Sequence, residues 1–246
     1  MSAARGGMSA LVEAASGYYR GGGMAAWYFV RGKLRGDPLY GALLTKGLLS
    51  GRARIVDLGC RQGLLGAWLL AARSLHAGEL GERWPEEWPA PPALRSYCGI
   101  DLNGRETRRG AHAFASLPPE TIRIVHGDIR DVDYPPTDAV VIADVLHYID
   151  YPSQEAILRR VRSVLSPRGL LLLRVGDAAA GVGFTLSKAL DQAVELARRG
   201  RLERLYCRPL AEWQALLARI GFHTRALPMS QGTPFANHLL VCEGAA

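Results

Sequence analysis

Between residues 53 and 177 the chain alternates short apolar runs with longer stretches of helical periodicity, and this alternation limits the possible folds more than any other feature. The runs are "ARIVDLG" (53–59), "YCGIDL" (97–102), "IRIVHGD" (122–128), "DAVVIADVLHYI" (138–149, a strand running into a loop) and "LLLLRVGD" (170–177). Between them, "GLLGAWLLAARSL" (63–75), "RETRRGAHAFASL" (105–117) and "SQEAILRRVRSVL" (153–165) repeat their apolar residues as helices do. Short continuous apolar runs suit strands buried on both faces, and parallel strands need crossovers long enough to hold a helix. Five such units predict an α/β fold with a doubly wound, mostly parallel sheet and right-handed connections. "PLAEWQALLARIGF" reads as a further crossover helix, and "HTRALPMS" and "NHLLVCE", joined by "QGTPFA", as a C-terminal antiparallel hairpin that brings the sheet to seven strands.

Two segments lie outside this rhythm. Residues 1–50 read as a separate, basic, aromatic-rich helical segment: "SALVEAASGYYR" and "MAAWYFVRGKLR" flank the flexible Gly21–Gly23, and Asp37-Pro38 starts another helix as N-cap and first helical residue. The domain proper covers 51–246, and within it residues 178–206 read as an inserted helical cap, with Leu186, Leu190, Val194 and Ala197 at helical spacing.

Composition narrows the setting. The formal charge of +7 is concentrated in residues 1–54, where eight Lys/Arg face only Glu13 and Asp37, a net +6. Such an arm suits a solvated helix face or an acidic partner: an anionic substrate, an acidic carrier protein, a membrane surface or nucleic acid. Cys60, Cys98, Cys207 and Cys242 show neither CxxC nor Cys/His spacing, which argues against a metal site and for reduced thiols in a cytoplasm. No export signal or membrane-length apolar run is legible; "GLLGAWLLAA" ends after ten residues.

In open α/β sheets ligands bind beyond the carboxyl ends of the strands. Those ends carry Asp57, Gly59 and Gly63 after the first strand, Asp101 after the second, Asp128 after the third, Asp144, His147 and Tyr148 after the fourth, and Arg174 in the fifth. A carboxylate closing the second strand suits a ribose, whose adjacent hydroxyls can donate to its two oxygens. "GCRQG" lacks the three-glycine cradle that a pyrophosphate requires. A cofactor with a ribose and no phosphate fits better.

At this point the sequence resembles the class I S-adenosylmethionine-dependent methyltransferases, over residues 53–246. "VDLGCRQG" is similar to the family's first motif, "GIDL" to its ribose-binding acid, "HGDI" to its adenine-contacting segment, "ADVLHYI" to its fourth-strand segment and "LSPRGLLLLRV" to its fifth-strand region. The resemblance implies a Rossmann-like fold and S-adenosyl-L-methionine as cofactor. It implies that Gly59 admits the methionyl part, that Asp101 binds ribose with Leu102 beside the adenine, and that Asp128 and Ile129 meet the adenine. Asp57 either braces the loop or touches the cofactor, and Gly63 and Asp144 complete the cofactor set. Arg61 departs from the motif where glycine is usual: it either weakens binding or reaches the cofactor's carboxylate.

The acceptor is less constrained. No Asn-Pro-Pro-Tyr-like segment follows the fourth strand, which disfavours amide or base-amine methylation. "DVLHY" resembles small-molecule methyltransferases, with His147 as candidate base and Tyr148 beside it. Tyr18, Tyr19, Trp27, Tyr28 and Phe29 suit either a core or an aryl acceptor; Tyr18, Tyr19, Tyr148 and Arg174 are the candidate substrate contacts. The chain is also similar to methyltransferases of bacterial aryl-polyene and xanthomonadin-type pigment pathways, which implies an aryl acid or acyl chain as acceptor, held on an acyl carrier protein in one form of the reading. Peripheral membrane contact is compatible with the basic arm. An RNA methyltransferase and a catalytically silent binding protein weakened at Arg61 are the alternatives; without a recognisable RNA-binding module, nucleic acid is disfavoured.

Overall fold

The computed structural model describes residues 3–179, 204–230 and 237–244. Chain contacts divide it into two compact units, Met1–Ala139 and Val140–Ala246.

The first unit opens with helix α1 (Ala3–Gly17), a short 3-10 turn at Arg20–Gly22, α2 (Met24–Gly36) and α3 (Pro38–Thr45). Leu11, Val12, Ala15 and Ser16 bury one face of α1, which packs on α4 (Leu64–His76). Asp37 caps α3 as expected, accepting the Leu39 N–H at 2.9 Å, with Pro38 in the first turn. Among the eight cations of residues 1–54, Arg20 and Arg31 converge on Glu13, Lys33 pairs with Asp37 and Arg54 with Asp138, the last the one carboxylate here not already counted in the net +6. Three parallel strands follow, β1 (Arg54–Leu58), β2 (Ser96–Asp101) and β3 (Ile122–His126), with α4 between the first two and α5 (Gly104–Ala113) between the last two. The Asp57↔Gly99 and Asp101↔His126 register sets the carboxyl ends of all three side by side. The proline-rich connection of 78–96 is packed: Trp88 is buried, and the Trp84 ring meets it edge-on at 5.3 Å.

The second unit holds most of β4 (Thr137–Ala143), then α6 (Tyr151–Val164), β5 (Leu165–Gly176), α7 (Leu210–Ile220), β6 (Phe222–Pro228) and β7 (Asn237–Gly244). Its core is the apolar run Leu170–Leu173 against Leu239–Cys242 of the antiparallel partner β7. β6 pairs antiparallel with β7, which is the expected hairpin. Among the described residues the strands form one seven-stranded sheet in the order β3-β2-β1-β4-β5-β7-β6, in which β1–β2 and β2–β3 pair parallel and both pairings of β7 are antiparallel. The expected Rossmann-like α/β fold is present.

Boundaries differ in places. Helix α6 starts at Tyr151 rather than Ser153, because Asp150 is its N-cap and accepts the Ser153 N–H at 3.0 Å. Helix α5 ends at Ala113, four residues before the predicted end, as the chain turns through Phe114 to the proline pair at 118–119. Strand β5 begins at Leu165, before Ser166-Pro167, although its pairing with β7 starts only at Leu170. The apolar positions Leu186, Leu190, Val194 and Ala197 of the expected cap lie outside the described residues.

Candidate functional site

In the first unit, the carboxyl end of β1 enters a tight loop. Asp57 is buried, and its carboxylate accepts the Tyr97 hydroxyl at 2.6 Å. Burial raises its pKa to about 7, the Tyr97 hydrogen bond works in the opposite direction, and the negative charge of Asp101 adds to the rise. Tyr97 thus ties the Asp57 carboxylate to β2.

Residues 59–63 form the loop itself. Gly59 takes φ 81°, and its N–H, with that of Cys60, points at the Ile100 carbonyl (2.8 and 3.2 Å). Gly63 takes φ 79° as the N-cap of α4, where a Cβ would stand 2.7 Å from Ile124 Cδ1 and 2.9 Å from Phe114 Cε2. Arg61 adopts φ 55°, in the left-handed region that costs a non-glycine residue about 1–2 kcal/mol. Its backbone N–H donates to Asp101 Oδ2 at 2.8 Å. Its side chain leaves the loop: Nε lies 3.6 Å from Glu106 Oε2, and the guanidinium sits 4.8 Å from the centre of the Phe29 ring.

Asp101 ends β2 with both carboxylate oxygens engaged by backbone, Oδ2 by Arg61 and Oδ1 by the Asn103 N–H at 2.8 Å. Next to it Leu102 is 55% exposed. After β3, Asp128 is gripped by Arg130 through its side chain and backbone N–H (2.5–3.0 Å), which holds its carboxyl below the usual range. Ile129 is buried, and its carbonyl accepts the Tyr134 hydroxyl.

The N-terminal aromatics separate into several contacts. Tyr19 is buried, edge-on to Phe114 at 6.1 Å, and its hydroxyl donates to the Gln62 carbonyl at 2.9 Å. Tyr18 is half-buried with its ring 5.6 Å from Phe114, and lines a shallow cavity with Ala14, Gly17, Ala71, Ser74 and Leu80. Trp27 and Tyr28 meet at 4.8 Å, with Tyr28 largely exposed.

In the second unit, Asp144 follows β4 at φ 56°. Its carboxylate accepts Arg174 Nε at 2.9 Å and the neighbouring guanidinium nitrogen, while its own N–H points at the Arg174 carbonyl (3.4 Å). Arg174 is buried; the structure thus joins a residue expected on the cofactor to one expected on the substrate. His147 lies in a 3-10 turn, Leu146–Tyr148, with its ring 4.1 Å from that of Tyr148 and its carbonyl accepting the Tyr206 N–H at 2.8 Å. Burial depresses the His147 pKa, and the charge of Asp144 opposes that only in part, so the imidazole is neutral at physiological pH.

Several residues that matter here were not singled out in the sequence. Asn103 was findable, since it caps α5 through the Arg105 and Glu106 N–H groups and Asn-x-x-Glu is a helix-start pattern. Tyr97, Gln62 and Glu106 act through contacts that no local spacing signals. No cluster suited to a metal ion occurs among the described residues. No helix among them is long and apolar enough to cross a membrane.

Comparison with known proteins bears on this arrangement. Residues 56–171 match the family described as "Methyltransferase domain". The chain is 33% identical over 146 residues to carboxy-S-adenosyl-L-methionine synthase of Chromohalobacter salexigens (56% of this chain, 48% of that protein). It is 34% identical over 150 residues to acetylserotonin O-methyltransferase of Mus musculus (57% and 38%). The chain therefore spans about half or less of the length of these relatives. Among solved structures, the mitomycin 7-O-methyltransferase MmcR is similar with a TM-score of 0.60 and 20% identity, over 88% of this chain and 56% of that one. Magnesium protoporphyrin IX methyltransferase (ChlM) from Synechocystis PCC 6803, with bound SAH, gives 0.58 and 18%, over 91% and 89%. The methyltransferase-domain match is confined to residues 56–171, and the solved structures share the Rossmann-like fold of this chain.

Proposed function

We propose that the chain is an S-adenosylmethionine-dependent methyltransferase acting on a small aromatic acceptor. The observation that carries this reading is the pairing of Asp101 with the exposed Leu102 at the mouth of the 59–63 loop. Each Asp101 oxygen accepts one backbone N–H and retains a lone pair for a ribose hydroxyl. Leu102 offers an apolar face that a purine would cover. The left-handed turn at Gly59 presents backbone without a side chain where a ligand would approach, while the bare Cα of Gly63 makes room for Ile124 and Phe114 and so keeps the loop tight. S-adenosylmethionine supplies a methyl group on a cationic sulfur, open to in-line displacement. The chain's part is to align acceptor and methyl, and His147, which is uncharged and whose basicity burial reduces, is the proposed acceptor of a phenolic proton. Tyr18 in the first unit and Tyr148 and Arg174 in the second are the proposed acceptor contacts, whereas Tyr19 is buried with its hydroxyl on the Gln62 carbonyl. The finer form of this reading is an aryl acid or carrier-bound acyl chain of a pigment pathway, with the basic segment facing an acidic carrier protein in a cytoplasm.

The similarity to a carboxy-S-adenosyl-L-methionine synthase favours a second reading, in which the cofactor itself is the molecule modified. Calorimetric titration of S-adenosylmethionine and S-adenosylhomocysteine tests the shared premise: micromolar binding that falls at least tenfold in D101A is expected. Absence of binding by the unmodified chain would remove both readings. Mass analysis after incubation with phenolic aryl acids then separates them, through a methylated acid plus S-adenosylhomocysteine in one case and an altered sulfonium in the other.

A further inference from the structure

The left-handed turn at Arg61 is held by four groups from two sources. Asp101 and Glu106 belong to the strand–helix layer that forms the loop. Tyr19 and Phe29 belong to the N-terminal segment, which precedes the matched methyltransferase domain. Tyr19 fixes the carbonyl of Gln62, one residue after the turn, by a hydrogen bond that is fully buried. Phe29, 39% exposed on α2, lies under the Arg61 guanidinium, 4.8 Å from it. From the other flank Gly110 of α5 abuts the Gln62 backbone, where a Cβ would lie 2.7 Å from its carbonyl oxygen.

We infer that the N-terminal segment is a positioning element for the cofactor loop, with Phe29 and Tyr19 as the residues that keep an arginine compatible with cofactor binding at position 61. A glycine there would reach φ 55° unaided. An arginine needs its backbone and its side chain held: Asp101 takes its N–H, Tyr19 fixes the following carbonyl, and Phe29 with Glu106 holds the guanidinium. The consequence is coupling: displacement of α2 loosens the loop because position 61 is not glycine. This rests on the reading of residues 59–63 as the cofactor loop.

The test is a double-mutant cycle on the full chain, with S-adenosylhomocysteine affinity and amide hydrogen exchange of residues 59–63 in the ligand-free protein as two separate readouts. F29A and Y19F are expected to weaken affinity roughly three- to tenfold, within the range for a cation–π contact or one hydrogen bond. Both are expected to speed exchange across the loop. In the R61G background F29A should change neither readout, because the guanidinium is gone and the turn no longer needs it. Equal losses in both backgrounds would reduce Phe29 to ordinary packing and overturn the inference, as would unchanged exchange in F29A and Y19F. Phe29 is partly exposed, so F29A leaves the core intact. If the unmodified chain fails to bind S-adenosylhomocysteine, the functional reading falls, while the exchange cycle still decides whether the segment holds the loop.

Discussion

Arg61 and Asp144 are the two non-glycine residues among the described ones that stand at positive φ, at 55° and 56°, and they reach that conformation by opposite routes. Asp144 belongs to a residue type that tolerates the left-handed region, and its own carboxylate is locked by the buried Arg174. Arg61 is a residue type that does not favour the region, and it is held chiefly through its backbone N–H, by the carboxylate of Asp101. At 144 the side chain secures the turn; at 61 the side chain has to be kept out of it. Both follow the carboxyl end of a strand, where a sharp change of chain direction leaves backbone groups exposed for ligands. The difference shows that strain at a loop can be stabilised by the residue itself or by its neighbours, and that the second arrangement spreads dependence over distant sequence.

The strongest way to break the first loop is Gly63→Ala. A methyl there combines a left-handed backbone with overlap against Ile124 and Phe114, and about 4 kcal/mol of stability should be lost in urea denaturation, together with cofactor binding. Asp57→Asn probes the buried carboxylate that meets Tyr97 just before the same loop. The folded carboxyl titrates at about 7, above its ordinary value, so the folded form holds its proton more tightly. Its contribution to stability is complete below about pH 4, is lost as pH rises to about 7, and is constant above that. D57N should therefore gain on the unmodified chain by about 4 kcal/mol between pH 4 and pH 7 and little further. A flat difference across that window in thermal melts would contradict the assignment.

Arg174→Ala addresses the second loop. Removing the cation leaves the Asp144 carboxylate partly solvated at 37% side-chain exposure, so the loss should be near 2 kcal/mol rather than the larger figure for a fully buried pair. Arg61→Gly sharpens the comparison with the smallest effect: relief of the left-handed conformation should stabilise the chain by about 1 kcal/mol, whereas Asp144→Gly should destabilise it, because the Arg174 pair is lost. Equal signs for these two glycine variants in denaturant melts would remove the distinction between the loops.

The sheet was legible in the sequence because buried parallel strands write themselves as apolar runs ending in Asp57, Asp101 and Asp128. The hairpin was legible for the same reason, as "HTRALPMS" and "NHLLVCE" flank a turn-forming stretch. What escaped was contact across long separations. Tyr19 reaches Gln62 over 43 residues, Tyr97 reaches Asp57 over 40, and Arg174 reaches Asp144 over 30. Periodicity reports the face on which a side chain lies, not the hydroxyl or guanidinium it meets. Arg61 could be recognised as an oddity from one chain, but the direction of its side chain depends on Phe29 and Glu106, which lie 32 residues before it and 45 after.

Cys60 gives the same loop a chemical clock. Its sulfur is buried beside Gly99, and burial pushes its thiol well above the ordinary pKa. Only the thiolate attacks alkylating reagents at a useful rate. While the turn is closed Cys60 is therefore silent, and each opening exposes a thiol whose capture can be timed by mass spectrometry without any engineered label. The pace of alkylation at this one sulfur measures how often the chain loosens its hold around Arg61.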